Sequence, residues 1–281
     1  MADAKLPYLL LLPASLFLCL FFLYPFLMVA WEAFSNEQGW TLAHFQTMAR
    51  HWKFGNALNT TLLLAAIVVP IQTVLSLAMA VLVNRLNQRR ELVLYIFTIP
   101  LGISDLAAGI IWLAVFEQSG FLNSMLVGMG LLERPEIWLG YQNKVMVLTA
   151  VALAEIWRAT AIMLVILVAG MGLIPKEYHE AAEVFGAGPW RRFFKITLPL
   201  LRPSLQTALI LRTILAFEVF AVVATLGGTN LQVLMSETFV WQFDLQDRNV
   251  AAAYAMVILG ISIAATLVFL RLLHVPKEAR P

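Results

Sequence analysis

Charge and cysteine are what this sequence has least of. Only 13% of its 281 residues are Asp, Glu, Lys or Arg, and one is cysteine. A single thiol forms neither an intrachain disulfide nor a thiolate metal cluster, and Cys19, inside the first apolar run, is expected to be a small buried apolar side chain. No phosphate-binding loop of the form G-x-x-x-x-G-K-S/T occurs, so ATP binding by that route is not expected of this chain. The histidines His44, His51, His179 and His274 are scattered, with no H-E-x-x-H pair, and metal catalysis finds no support. A formal net charge of +2, spread over short loops, implies no nucleic-acid partner.

What is there is apolar surface. Hydrophobic residues make up 61% of the chain and the mean hydropathy is +0.82, far above a soluble domain. The composition predicts an all-α integral membrane protein. Six runs are long enough to span a bilayer, at about residues 6–34, 59–84, 92–116, 144–170, 204–226 and 250–273. The first has too long an apolar core and no small-residue cleavage site for a secretory signal, and reads as a retained anchor. Pro70 and Gln72 sit near the middle of the second. Pro100, Gly102, Ser104, Asp105 and Gly109 predict a kinked, closely packed third span.

Six spans put both ends on one side, and the basic residues choose the side. With the ends inside, Lys5, Arg85, Arg89, Arg90, Lys176, Arg191, Arg192, Lys195, Arg202, Arg271, Lys277 and Arg280 are cytoplasmic. Arg50, Lys53, Arg134, Lys144 and Arg248 lie outside, which makes 12 against 5, with Arg158 and Arg212 left in the membrane. Excess Lys and Arg mark the cytoplasmic side, so both termini are expected there.

Between spans four and five, residues 175–203 read PKEYHEAAEVFGAGPWRRFFKITLPLLRP, too charged to cross lipid. Pro175 suits a first helical turn, and Glu177 and Glu180 favour the positive end of a helix whose strip is Ala181, Ala182 and Phe185. Gly186 and Gly188 permit a reversal, and a second short helix from Pro189 stops near Leu198 and Pro199. A helix-turn-helix shelf outside the lipid is expected.

The spacing of Glu180, Ala181, Ala182, Gly186, Ile196, Leu198 and Pro199 resembles the ATPase-coupling segment of permease subunits of binding-protein-dependent ABC importers. The similarity extends to carbohydrate permeases of the maltose/trehalose type through YPFLMVAWEAFSN, IPLGISDLAAGIIWLAVF, FLNSMLVGMGL, RTILAFEVF and TLGGTN, in that order. Membership would make residues 1–281 one transmembrane domain. It implies a bacterial or archaeal inner membrane, a second permease expected to be a different chain, two ATPase subunits holding ATP and Mg, and an extracytoplasmic solute-binding protein. No cofactor and no enzymatic activity of its own are implied for this chain. Two positions depart from the sugar-permease pattern: Phe185 stands where an acidic residue is frequent, and Ala221 where an aspartate is. They keep a glycerol phosphodiester or a polyamine open as solutes.

Asp105, Glu155, Arg158, Arg212 and Glu218 are the charges inside the spans, and each must face a bundle interior, a water-filled path or another charge. Glu155 and Arg158, three apart on one helix, are placed to pair locally. Structural ion pairs and a lining for a substrate path are equally compatible with these residues. An ion-coupled carrier relaying protons through Asp105 and Glu155 is the competing class, and it leaves the shelf without a purpose.

Overall fold

The computed structural model describes residues 6–86 and 88–273. Lys5, His274, Lys277 and Arg280, which entered the charge count or the histidine survey, lie outside the described residues. Among the described residues the protein is helical apart from loops and one two-stranded hairpin, β1 (Ser35–Asn36) and β2 (Gly39–Trp40), in which Ser35 pairs with Trp40.

The first apolar run forms α1 (Leu6–Leu18) and α2 (Tyr24–Phe34), joined by a wider π-helical turn at Cys19–Leu23. Among the described residues it is α2 that packs on later elements, chiefly the last long helix, and Ala33 is its one buried residue. Cys19 is exposed, contrary to the expectation of burial, because the side chains around it, Leu16 to Leu23, are left uncovered by the other helices among the described residues. After the hairpin come α3 (Ala43–Arg50) and α4 (Phe54–Arg85). At 32 residues α4 is about 48 Å long, enough to span a bilayer with turns to spare at both ends.

The third apolar run does not form one helix. It divides into α5 (Arg90–Thr98), a 3-10 turn at Ile99–Gly102, and α6 (Asp105–Phe116). Pro100 has no N–H to continue α5, and the Ser104 hydroxyl accepts from the Ala107 N–H at 3.2 Å and starts a new helix. The long apolar stretch here is instead α6 followed by α7 (Phe121–Gly128), together Asp105–Gly128. Asn123 on α7 is buried and fastens the following loop: its amide donates to the Gln118 and Glu136 carbonyls and accepts from Trp138 Nε1.

Next come α8 (Lys144–Gly172), the shelf helices α9 (Lys176–Val184) and α10 (Pro189–Arg192), a π-helical turn at Phe193–Thr197, and α11 (Leu198–Leu200). The chain then bends by 70° into α12 (Arg202–Phe217). The fifth apolar run is also interrupted: α12 ends at Phe217, residues 218–220 are not helical, and α13 (Ala221–Leu226) resumes. Last come α14 (Leu234–Phe239), a π-helical turn at Val240–Asp244, and α15 (Arg248–Leu272), whose first turn is capped by Asp247 accepting from the Val250 N–H at 3.0 Å. Among the described residues five helical stretches are long and apolar enough to cross a membrane, six if the bent pair Pro189–Leu200 and Arg202–Phe217 is one.

The core is built on α4, α8 and α12. Near the shelf, Val83, Leu164, Leu167 and Leu201 are fully buried; toward the other end Val147, Val151, Val222 and Val223 are. In lipid such contacts stabilise by close packing rather than by excluding water, and small residues let backbones approach. A Cβ on Gly170 of α8 would fall 2.1 Å from the Ser204 hydroxyl of α12, and one on Gly109 of α6 would fall 1.8 Å from that of Thr225 on α13.

Candidate functional site

Four of the five intramembrane charges meet in one lattice. The Arg212 guanidinium on α12, 1% exposed, donates from Nη2 to Glu155 Oε2 on α8 at 2.7 Å and from Nε to Gln72 Oε1 on α4 at 2.5 Å. The Gln72 amide in turn donates to the Glu155 backbone carbonyl at 2.8 Å. One turn further along α8, Arg158 Nη1 pairs with Asp105 Oδ1 of α6 at 2.8 Å and Nη2 lies 3.8 Å from Glu155 Oε1. The charges alternate in sign along the series Asp105, Arg158, Glu155, Arg212, so the lattice is neutral while binding four helices. The local Glu155–Arg158 contact exists, but each residue has a shorter partner on another helix. Truncating one member of such a buried set strands the other charge, at a cost of about 3–5 kcal/mol.

Gln72 carries no charge, so the charge inventory passed over it; an amide amid an apolar span was the signal available. The lattice has one open end, the Asp105 side chain, which is 48% exposed. The cavity beside Glu155 and Arg212, bounded also by Ala216 and Val219, holds only about 10 Å³, room for a water and no more. Trp112 and Trp157, next to this region, meet edge to face at 6.2 Å.

Glu218 stands apart. It is exposed, it caps the end of α12, and it forms no ion pair among the described residues. Helix interruption within an apolar run frees backbone groups that must find water or protein, which is tolerated where the break lines a cavity. Here the break adjoins a concave surface of about 390 Å³, on which Glu218 faces Ser262 and Thr266 of α15 together with Ile214 and Met235.

The shelf is built by local rules. Gly186 has φ +73°, and the Gly186 and Ala187 N–H groups donate to the Glu183 and Ala182 carbonyls at 2.9 Å, a Schellman closure of α9. Gly186 alone supplies the left-handed residue; Gly188 has φ −65° and makes the N-cap of α10 with ordinary backbone. The Glu183–Arg192 ion pair holds the two arms together. Ala182 is buried against the shelf interior and Thr197 is buried near its end, whereas Glu180 and Ala181 are exposed. Val184 and Phe185, at the tip, are 86% and 87% exposed. Ile196, Leu198 and Pro199 are half-buried, and the second arm ends with α11 at Leu200, next to the expected stop.

At the far end of α4, Glu237 of α14 is buried with His51 and Lys53 each 3.9 Å away. Burial raises its carboxyl pKa above the ordinary value, against the smaller opposing effects of Lys53 and His51.

Comparison with known proteins gives this arrangement its family. Over 283 residues the chain is 28% identical to the trehalose/maltose transport system permease protein MalF of Thermococcus litoralis, covering 96% of this chain and 94% of that one. It is 30% identical to the sulfoquinovosyl glycerol transport system permease protein SmoG of Agrobacterium fabrum, over 98% and 92% of the two chains. Among solved structures, a chain of a bacterial ABC transporter involved in import of the acidic polysaccharide alginate superposes with a TM-score of 0.83 at 21% identity, covering 97% and 96%, which shows the same fold. The family model for the inner membrane component of binding-protein-dependent transport systems matches residues 72–279, and the chain belongs to that family.

Proposed function

We propose that the protein is the permease subunit of an ATP-driven importer and forms, with a second permease, the translocation path for a disaccharide or oligosaccharide delivered by an external binding protein. The observation that carries this is the shelf: a rigid turn with a bare apolar tip at Val184 and Phe185, on a chain whose relatives are named as trehalose, maltose and sulfoquinovosyl glycerol permeases. Apolar side chains so exposed on a charged segment outside the lipid call for a protein partner. The partner fitting the family is a cytoplasmic ATPase, present in two copies and holding ATP and Mg; hydrolysis belongs to it and not to this chain. Both termini are then cytoplasmic, and the shelf at residues 175–203 lies between spans four and five.

The mechanism follows from how the shelf is attached. Leu201 and Leu205 are buried against Leu164 and Leu167, and Gly170 lets α8 and α12 approach too closely to slide. Movement of Glu180 to Pro199 by the ATPase therefore carries α8 and α12 together, and the Arg212 lattice passes it to α4 and α6. The non-helical residues 103–104 and 218–220 are where the path changes shape. Glu218, with its hydrogen-bonding carboxylate on an open concave surface, is the leading substrate-path residue; Asp105, half-exposed, is the second. Arg158, Arg212 and Glu155 hold the frame.

A proton relay through Asp105 and Glu155 is disfavoured by geometry, since each carboxylate is already engaged by a guanidinium, Asp105 by Arg158 at 2.8 Å and Glu155 by Arg212 at 2.7 Å. The test is uptake by proteoliposomes containing the assembled complex, with a disaccharide panel beside a glycerol phosphodiester and a polyamine. Saturable, ATP-dependent uptake of a disaccharide is expected. Uptake of a charged solute alone would remove the sugar assignment and keep the coupling argument, whereas uptake without any ATPase would remove both.

A further inference from the structure

Where α4 reaches the shelf, two grooves run into each other. One, of about 650 Å³, is apolar and lies between Val74, Leu77 and Leu82 of α4 and the shelf residues Trp190 and Phe194. The other, of about 520 Å³, is polar, with Asn84, His179 and Arg192 on its wall. Val81, Arg85, Pro189 and Phe193 border both, so Arg85 stands at the junction.

Arg85 is the last residue of α4, is exposed, and has no carboxylate within 4.0 Å among the described residues. Arg192 is already neutralised by Glu183, so the unbalanced charge of the polar groove is that of Arg85. The Trp190 and Phe194 rings stack with centroids 6.1 Å apart, giving the apolar groove a flat aromatic wall at the level where α4 leaves its apolar stretch. An occupant complementary to both halves has a long apolar tail and an anionic head. The other large concave surfaces lack that combination: the one beside Glu218 has an acid and no base, and the one near α2 sets Glu32 against Arg248.

We propose that this double groove binds an anionic phospholipid, its acyl chain along Trp190 and Phe194 and its phosphate on Arg85. Basic pockets between helices at the cytoplasmic boundary favour such head groups, and the placement at that leaflet rests on the functional reading above. Because one wall belongs to α4 and the other to the shelf, an occupant touches the coupling segment and α4 at once. The lipid thereby tunes how freely the shelf moves.

The assembled importer, reconstituted in nanodiscs of phosphatidylcholine with or without phosphatidylglycerol, is examined by native mass spectrometry for phosphatidylglycerol retained after release from the disc. Arg85→Gln is expected to lower retention about fivefold, which is ~1 kcal/mol for one basic residue near an anionic leaflet. Ala78→Trp, which fills the apolar groove, is expected to lower it by removing the tail's seat while the charge stays. Arg134→Gln, on the loop beyond α7, is expected to change nothing. Retention in Arg85→Gln and Ala78→Trp equal to that of the unmodified complex overturns the proposal. So does a photo-cross-linker at position 190 that captures another polypeptide instead of lipid. Retention needs no solute, so a failed uptake assay leaves this result standing and the reverse is also true.

Discussion

The buried lattice and the shelf hold much of this chain's chemistry, and they face opposite partners. In the lattice, Asp105, Glu155, Arg158 and Arg212 meet one another and Gln72; in the shelf, the side chains of Glu180, Ala181, Val184 and Phe185 are exposed. The difference teaches that a charge in lipid must be satisfied inside the chain or along a wet path, whereas an apolar group in water can wait for another subunit. Damage to the lattice should therefore appear as lost stability, and damage to the shelf as lost coupling in a well-folded protein.

The sharpest break of that contrast is Arg212→Leu. It leaves buried Glu155 with only the longer 3.8 Å contact to Arg158 and should cost about 3–5 kcal/mol, read as a large fall in thermal stability of the detergent-purified complex. Arg212→Leu with Glu155→Leu should recover a good part of the loss; a single variant as stable as the unmodified chain would show that the lattice bears no weight. Gly170→Val comes next. It drives a side chain into Ser204 and should cost about 1–3 kcal/mol by overpacking, with partial rescue by Ser204→Gly.

Gly186→Asp tests the shelf. A residue other than glycine at φ +73° strains the turn by about 1–2 kcal/mol, absorbed locally because nothing lies within 4 Å of the added Cβ. Melting temperature should barely move while solute-stimulated ATP hydrolysis falls at least tenfold; normal coupling would remove the lever mechanism. Glu218→Gln should also leave stability unchanged, because Glu218 has no ion-pair partner among the described residues, and should raise the KM for solute. Strong destabilisation instead would place it with the lattice.

Glu237 is intermediate, buried yet loosely paired, and its expected effect is smallest. A carboxyl whose folded pKa lies above its unfolded one contributes stability in full below the unfolded value and loses it as pH rises through the folded value. Stability should therefore decline from the ordinary carboxylate range upward, and Glu237→Gln should flatten that slope in melts taken across pH.

Legibility in the sequence followed the range of the forces. The shelf was readable because its determinants are local: Pro175 at a start, Glu177 in the first helical turn, Gly186 at a left-handed turn. The fold class and most of the spans came from hydropathy. The interruptions at residues 99–104 and 218–220 were harder, since Pro100 and Ser104 announce the first but nothing in Phe217, Glu218 and Val219 announces the second. Asp105, Glu155 and Glu218 are alike in sequence, each one acid in an apolar run, and only their neighbours on other helices separate frame from open surface.

Taken alone, the sequence determined that this chain is helical and lives in a membrane, and that a charged helix-turn-helix shelf with its reversal at Gly186 follows the fourth long apolar run, because hydrophobic length and backbone geometry act over a few residues or a single span. Tertiary structure alone decided which buried charges pair, that Gln72 completes them, that Cys19 lies exposed, and that Arg85 opens onto a groove. Those outcomes depend on distances between residues as far apart in the chain as Gln72 and Arg212, and at such separations it is helix packing that sets the distance.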